Sequence, residues 1–308
     1  MLCWHGVMCV VPSLFFSAPQ RASAAPPRHS LAPRRVRLLG RCCAGEESAA
    51  TVVEPTCERL VQQASDERLR TPRHAALIMD GNSRWARRKG LAVSEGHAAG
   101  AEALRCAVRL FAQWGLPRLT VFAFSTDNWA RPHAEVTSLF AVMTAALQTD
   151  LDELNAAGVS LHFQGNRDAL PLALQTAMAG AEFMTRNNGG LRLTVCVNYS
   201  GRAALTSAAR AIAAAVDNGT MALSDVSESA LAAHMGEDVD LLIRSSGERR
   251  LSNFALWECA FAEMVFLEQL WPDVGEEELL CALREYSRRE RRFGAVSADN
   301  WQPLDTHR

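Results

Sequence analysis

The chain has 308 residues, 48% of them apolar and 21% charged, with a formal net charge of −2. That balance suits a globular protein with a sizeable core and gives no overall basic footprint for nucleic acid. Nine cysteines are present, but none forms a Cys-x-x-Cys pair and no histidine cluster accompanies them, so they read as reduced thiols rather than zinc ligands or a disulfide framework.

Residues 1–45 contain no acid and no lysine, yet carry Arg21, Arg28, Arg34, Arg35, Arg37 and Arg41 among many Ser, Ala and Pro. This is the composition of an organelle transit peptide. The apolar start, Leu2 to Phe16, is interrupted by His5 and Pro12 and is too short and broken to span a membrane. A disordered leader over 1–50 is therefore expected. Its address reads as plastid, with mitochondrion or endoplasmic reticulum as alternatives. One domain over 56–296 and a polar tail over 297–308 complete the expected organisation.

Residues 56–70 read as a lead-in helix and 75–79 as a buried strand ended by Asp80, Gly81, Asn82 and Ser83. Apolar residues at helical spacing predict helices over 98–115 and 135–157, stopped by Gly115 and Gly158. Strands are predicted at 119–124, 159–164, 191–197, 239–243 and 264–267. Further helices are predicted at 171–186, 203–216, 227–234, 254–260 and 276–292. Strands alternating with helices imply an α/β domain with a mainly parallel central sheet flanked by helices.

Open α/β sheets bind ligands beyond the carboxyl ends of their strands. Asp80 is placed there, beside a helix N-terminus that attracts anions. A carboxylate in an anion cradle is self-defeating unless a cation lies between them. Mg²⁺ resolves the conflict, because it binds one or two carboxylates together with substrate phosphates. The alternative for this stretch is an ordinary surface turn. Other strand ends carry Ser125, Asp127 and Asn128, then Asn166, then Asn198 and Arg202, and finally Arg244, Glu248, Arg250 and Ser252. Arg244, Arg249 and Arg250 among serines suit bidentate binding of phosphate oxygens, although a solvated basic loop has the same composition. Glu263 and Glu135 stay open between metal ligand and surface acid, and Trp85 and Trp129 between pocket wall and core. The chain lacks the Gly-x-x-x-x-Gly-Lys-Ser/Thr, Gly-x-Gly-x-x-Gly and Gly-x-Ser-x-Gly motifs of nucleotide, dinucleotide and serine-hydrolase chemistry.

The segments HAALIMDGNSRWARRKG, Gly96-His97, FSTDNWARP, VNYSGR, DLLIRSSGERRLSNFALW, AEMVFLEQLWPD and RERRFG lie in order from residue 73 to 294. Together they resemble the cis-prenyltransferases, the undecaprenyl diphosphate synthase or Z-isoprenyl diphosphate synthase family, in an organelle-targeted plant or algal type. The resemblance implies condensation of isopentenyl diphosphate with an allylic prenyl diphosphate, with Mg²⁺ as cofactor. The product would be a Z-polyprenyl diphosphate of short to medium chain. The catalyst would be a homodimer, associated with membrane only peripherally through its product. Residue by residue, Asp80 and Asn128 would be catalytic, and Asp80 and Glu263 would hold the metal, Glu263 only in the assembled dimer. Asn82, Arg84 and His97 would line the allylic diphosphate, Ser125 would assist Asn128 around the reacting carbon and the proton loss, and Gly81, Trp85, Trp129 and Arg131 would also bind substrate. Arg244, Arg250 and Ser252 would hold isopentenyl diphosphate, with Arg292 and Gly294 reaching in from the C-terminal end. Val93 stands where many bacterial members have Arg, Glu95 adds a negative charge nearby, and Ser200 replaces a usual Gly. Two other readings are a non-catalytic accessory subunit of the same fold and a Mg²⁺-dependent phosphohydrolase.

Overall fold

The computed structural model of the chain describes residues 69–290. The leader, most of the lead-in helix, Arg292, Gly294 and the tail lie outside the described residues. The elements in order are β1 (His74–Ile78), α1 (Asn82–Lys89), α2 (Val93–Gln113), β2 (Arg118–Ser125) and α3 (His133–Ala156), then β3 (Ser160–Gln164), α4 (Leu172–Thr185), β4 (Arg192–Tyr199) and α5 (Gly201–Asp217). They continue with α6 (Glu228–Ala232), β5 (Leu241–Arg244), β6 (Glu263–Phe266) and α7 (Glu276–Arg288). The six strands form one sheet in the order β3-β4-β2-β1-β5-β6, and every pairing is parallel.

β1 occupies the middle of the sheet and is buried along its whole length, as its uncharged apolar run requires. Its residues alternate between faces. Ala75 and Leu77 join Phe111 of α2 and Leu283 of α7 in the core on one face. Ala76 and Ile78 join Tyr199, Phe254 and Cys259 on the other. Parallel sheets need both faces covered, and this one has helices or packed loop on each.

The chain leaves β1 toward β2 and leaves β5 the opposite way toward β6. The crevice between the ends of β1 and β5 is therefore a topological switch point, the place where open α/β sheets hold ligands. Ile78 and Arg244 are register partners there, so Asp80 and the loop after Arg244 emerge side by side.

Two expectations change. The predicted helix over 254–260 is a series of turns. Ser252, Asn253 and Ala255 hold left-handed φ angles of 49°, 63° and 41°, which no right-handed helix allows. Phe254 instead turns inward and stacks on Phe122 with ring centroids 4.6 Å apart. α2 also starts before Ala98, at Val93. Glu95 makes that start possible, because its Oε2 accepts the Ala92 N–H at 2.8 Å. The Glu95 charge is thus engaged at the helix end.

Candidate active site

β1 gives way to Asp80 and then to Gly81, whose φ is 112°. A side chain on Gly81 would start 2.9 Å from Leu270 Cδ2 and 3.1 Å from Leu270 Cα, so the turn needs glycine on conformational and steric grounds. The turn projects the Asp80 carboxylate between two guanidiniums. Arg244 Nη2 donates to Oδ2 at 3.0 Å, and Arg84 Nη2 lies 3.2 Å from Oδ1. Ser245 ties the two loops together. Its Oγ accepts the Asp80 N–H at 3.0 Å and donates to the Asp80 carbonyl at 2.7 Å.

Burial opposes ionisation of Asp80, but the hydrogen bonds and charges of Arg244 and Arg84 together outweigh it. They hold the carboxyl below its ordinary value. Arg244 is only 3% exposed. Its Nη1 donates to Ser252 Oγ at 2.8 Å and to the Arg250 carbonyl. Arg84 also donates to Ser246 Oγ at 2.6 Å. Glu248 stands against both Arg84, at 3.3 Å, and Arg250.

Three polar atoms at this site are buried without a partner, Asn82 Oδ1, His97 Nε2 and Arg244 Nε. A native interior rarely leaves such groups unpaired. Arg244 Nε is a donor and His97 Nε2 can donate or accept, so the site has unused capacity for a ligand of mixed character, while Asn82 Oδ1 is turned against Gly100 of α2. Left-handed φ angles at Ser246 (77°) and Ser252 (49°) add strain on the order of 1 kcal/mol each. Both serines touch arginines of the site, and strained residues of this kind gather where a loop must be held in one shape.

His97 faces the same space from α2. It is buried, and its Nε2 lies 3.5 Å from Glu135 Oε1 without a hydrogen bond. Burial lowers its pKa and Arg131 adds to that, against the pull of Glu135, so the imidazole is neutral at pH 7. α1 and α2 cross closely at Gly96, where a Cβ would meet the Asn82 carbonyl oxygen at 2.4 Å. Gly96→Ala is expected to push α1 away from α2, lowering stability by about 1–3 kcal/mol in urea denaturation and weakening substrate binding through Asn82.

On the other side of the mouth, Asn128 Oδ1 accepts the Ser125 N–H at 3.0 Å. The short 3-10 turn carrying Asn128 is anchored by its neighbour. Trp129 Nε1 donates to Asn198 Oδ1 at 2.8 Å, and Asn198 Nδ2 donates to the Asn166 carbonyl at 2.8 Å. Trp129 also packs edge-on against Phe124, 5.3 Å between centroids. Trp129→Phe keeps the ring contacts and removes the hydrogen bond. It is expected to lower kcat severalfold with little change in Tm, as measured by steady-state kinetics beside thermal unfolding.

Behind this polar mouth a cavity of about 840 Å³ runs between α2, α3 and the sheet. Asp80, Asn82, His97, Ser125, Asn128 and Arg131 line its opening, with Arg244, Arg250 and Ser252 beside them. Its deeper wall is largely aliphatic and aromatic. Lining residues on and just beyond α3 extend from Leu139 to Ala157, about 27 Å of helix at 1.5 Å per residue. A charged, phosphate-sized mouth on a deep apolar tunnel fits an amphiphile with an anionic head.

Of the expected site residues, Trp129 does not itself line the cavity, and Trp85 and Glu263 are placed elsewhere. Trp85 lies outside the cavity. Its indole donates to Asp273 Oδ1 at 2.6 Å, and the Lys89 ammonium sits 4.4 Å over its ring. Glu263 is in register with Leu241, three positions before Arg244, and so lies at the opposite end of the sheet from Asp80. It pairs with Arg289 at 3.0 Å. Within one chain it is not a second ligand for a cation at Asp80.

The family profile described as "Putative undecaprenyl diphosphate synthase" matches residues 78–294, well over half of the chain. The chain belongs to the cis-prenyltransferase family. An isoprenyl transferase of Caulobacter vibrioides is 44% identical over 241 residues, covering 77% of this chain and 92% of its own. "Dehydrodolichyl diphosphate synthase CPT5, chloroplastic" of Solanum lycopersicum is 42% identical over 233 residues, 74% of each chain. The crystal structure of lavandulyl diphosphate synthase from Lavandula x intermedia, in complex with dimethylallyl diphosphate, superposes with a TM-score of 0.71 at 37% identity. That match covers 73% of this chain and 98% of the other.

This cis-prenyltransferase is thus an enzyme that transfers prenyl groups to make prenyl diphosphates. Ser245 and Ser246 belong to the serine-rich loop that the sequence offers as a phosphate shell, but nothing local says that one bridges Asp80 and the other holds Arg84. Trp271 carries no local sequence signal for this site. Trp271 closes the tunnel side of α2 by donating its indole N–H to the Gly100 carbonyl at 2.8 Å. Ser200, which replaces a usual Gly, has a local use. It caps α5 by accepting the Ala203 N–H and also accepts from Asn253 Nδ2 at 2.8 Å.

Proposed function

We propose that this cis-prenyltransferase condenses isopentenyl diphosphate with an allylic prenyl diphosphate in a Mg²⁺-dependent reaction, at the mouth formed by Asp80, Arg84, His97, Asn128, Arg244, Arg250 and Ser252. The observation that carries the proposal is the junction of that polar mouth with an apolar tunnel. The head groups need guanidiniums and loop donors, and the growing chain needs a dry wall.

Among the described residues no group of three or more His, Cys, Asp or Glu side chains could hold a cation alone. Mg²⁺ suits such a site, because it takes most of its ligands from phosphates and water. Asp80 would hold it, as a carboxylate at the mouth that Arg84 and Arg244 keep ionised. When bound, Mg²⁺ neutralises charge on the departing diphosphate.

The protein groups do the rest. Arg84 and the neutral His97 orient the allylic diphosphate, and the N-terminus of α1 holds its oxygens. Arg244, Arg250 and Ser252 hold the isopentenyl diphosphate, with Arg244 Nε as an open donor. Glu248 screens Arg84 and Arg250 until phosphate takes its place. The bond from the allylic carbon to its diphosphate oxygen breaks, and the electron pair leaves with the diphosphate. The terminal alkene carbon of isopentenyl diphosphate forms the new carbon–carbon bond. A proton is then lost to the departing diphosphate, the base that the reaction itself generates. Ser125 and Asn128, both neutral, fix the geometry of that proton loss. The tunnel excludes water from the intermediate charge.

A tunnel wall of about 27 Å supports a product of short to medium length. An isoprene unit adds four carbon–carbon bonds of about 1.5 Å, so on the order of 5 Å when extended. Assembly as a homodimer, plastid location and peripheral membrane contact through the product belong to the same proposal. The plastid location is supported by the acid-free, Arg-rich leader and by the chloroplastic relative. Among the described residues no helix is long and apolar enough to cross a membrane.

The test uses the purified full-length protein with Mg²⁺, labelled isopentenyl diphosphate and each allylic starter in turn, with extraction and sizing of products. Elongated products that need both substrates support the transferase. Diphosphate release from a single substrate would point to a hydrolase. Folded protein that makes no product with any starter would point to an accessory subunit.

A further inference from the structure

The deep part of the tunnel is apolar on its sheet side. On the side where α2 meets α3, four charged side chains line it instead: Arg105, Arg109, Asp150 and Glu153. They pair across the helix seam. Arg105 Nε donates to Asp150 Oδ2 at 2.6 Å, and Arg109 lies 3.9 Å from Glu153. The second pair is more than half exposed on both sides and contributes little. The first is different. The Asp150 side chain is 18% exposed, and its other oxygen accepts from Thr149 Oγ1 at 2.6 Å. Arg105 is held further by Glu102 on its own helix.

The pair lies about 12 Å along α2 from His97, at 1.5 Å per residue. The cavity continues past it to Ala112, Leu154 and Ala157. A hydrocarbon growing down this tunnel first meets the closely paired Arg105 and Asp150 in its wall, with the looser and more exposed Arg109–Glu153 pair and free space below. Passing that first pair strips water from its charges and offers no hydrogen bond in return, which is costly for partly buried charges.

We propose that the Arg105–Asp150 ion pair is a product-length determinant, a polar rung at which chain growth is halted although the tunnel continues. This rests on reading the cavity as the product tunnel of the transferase. The rung acts on the growing tail and takes no part in the chemistry at the mouth.

The experiment compares product lengths from full-length wild-type protein and three double or single variants, using labelled isopentenyl diphosphate and one allylic starter. Arg105→Leu/Asp150→Leu makes the wall apolar and is expected to lengthen the main product by at least one isoprene unit. Arg105→Leu alone leaves the Asp150 carboxylate uncompensated against hydrocarbon, and is expected to shorten it. The reversed pair Arg105→Asp/Asp150→Arg is expected to restore the wild-type distribution. If the leucine pair loosens the seam, as read by a fall in Tm, Arg105→Gln/Asp150→Asn keeps size and a hydrogen bond without charge and is expected to lengthen products too. Unchanged product length in folded, active variants would overturn the role of the pair alone. Absence of elongated product from the wild-type protein would remove the transferase reading itself, and the rung with it.

Discussion

Asp80→Asn is expected to lower kcat by on the order of 10²–10³-fold or more, the scale on which loss of one preorganised electrostatic group acts, while Tm changes little. Asparagine keeps the volume of the side chain and one oxygen that can accept from Arg244 Nη2, now 3.0 Å away. What it removes is the negative charge between Arg84 and Arg244. In the resting site that charge balances two guanidiniums, and under the proposed mechanism it would also hold a cation with substrate. The two roles separate in one experiment. If the carboxylate serves the cation, the residual rate of the variant will need far higher Mg²⁺ for half-saturation. If Asp80 only neutralises arginines, the variant will bind diphosphates more tightly and its Mg²⁺ dependence will match wild type. Asp80→Ala serves as a harsher control, because it also leaves Arg244 short of a partner.

The second large effect is expected at Arg244. It is almost wholly buried, and each end of its fork is committed, to Asp80 on one side and to Ser252 and the Arg250 carbonyl on the other. Under the proposed function, losing its charged contact to the diphosphate costs about 2–5 kcal/mol, roughly 30- to 3,000-fold in kcat/KM at about 1.4 kcal/mol per decade. Arg244→Met should place that loss mainly on isopentenyl diphosphate, with KM for the allylic substrate moving far less. Arg244→Lys should not rescue it, since a single ammonium cannot bridge Asp80 and Ser252 as a planar fork does. Equal losses on both substrates would assign Arg244 to holding the loop rather than to one diphosphate. Chemical denaturation of the variant reports that loss directly.

The strands and their polar ends were legible because burial on both faces writes a continuous apolar run, and polar residues mark where it stops. HAALI and LLIR read this way without help. The Asp80–Arg244 meeting was legible only as a class of event, a carboxylate and an arginine at strand mouths. Which mouths adjoin depends on the strand order, and adjacent strands β1 and β5 are far apart in sequence. Phe254 to Ala260 has helix-like spacing, yet the pull of Phe122 and Tyr199 on the Phe254 ring and a left-handed Ala255 decide otherwise. Trp85 lies outside the cavity wall for a similar reason. Its partner, Asp273, is set 188 residues away. Glu263 reads as a strand start in the sequence, and register sets that start at the end of the sheet away from Asp80, so a metal role for it belongs to an assembled dimer.

The central position of β1 has a consequence for how the protein is made. Asp80 waits for Arg244, 164 residues later in the chain. At roughly 5–20 residues per second a ribosome takes on the order of 10–30 s to deliver β5 after β1. During that interval β2 can cover one edge of β1, while the other edge presents unpaired amides along an uncharged apolar segment, the kind of edge that recruits foreign strands. Newly made chains are therefore most vulnerable before β5 arrives, and any truncation ahead of Leu241 yields a fragment with an open sheet and half a catalytic mouth.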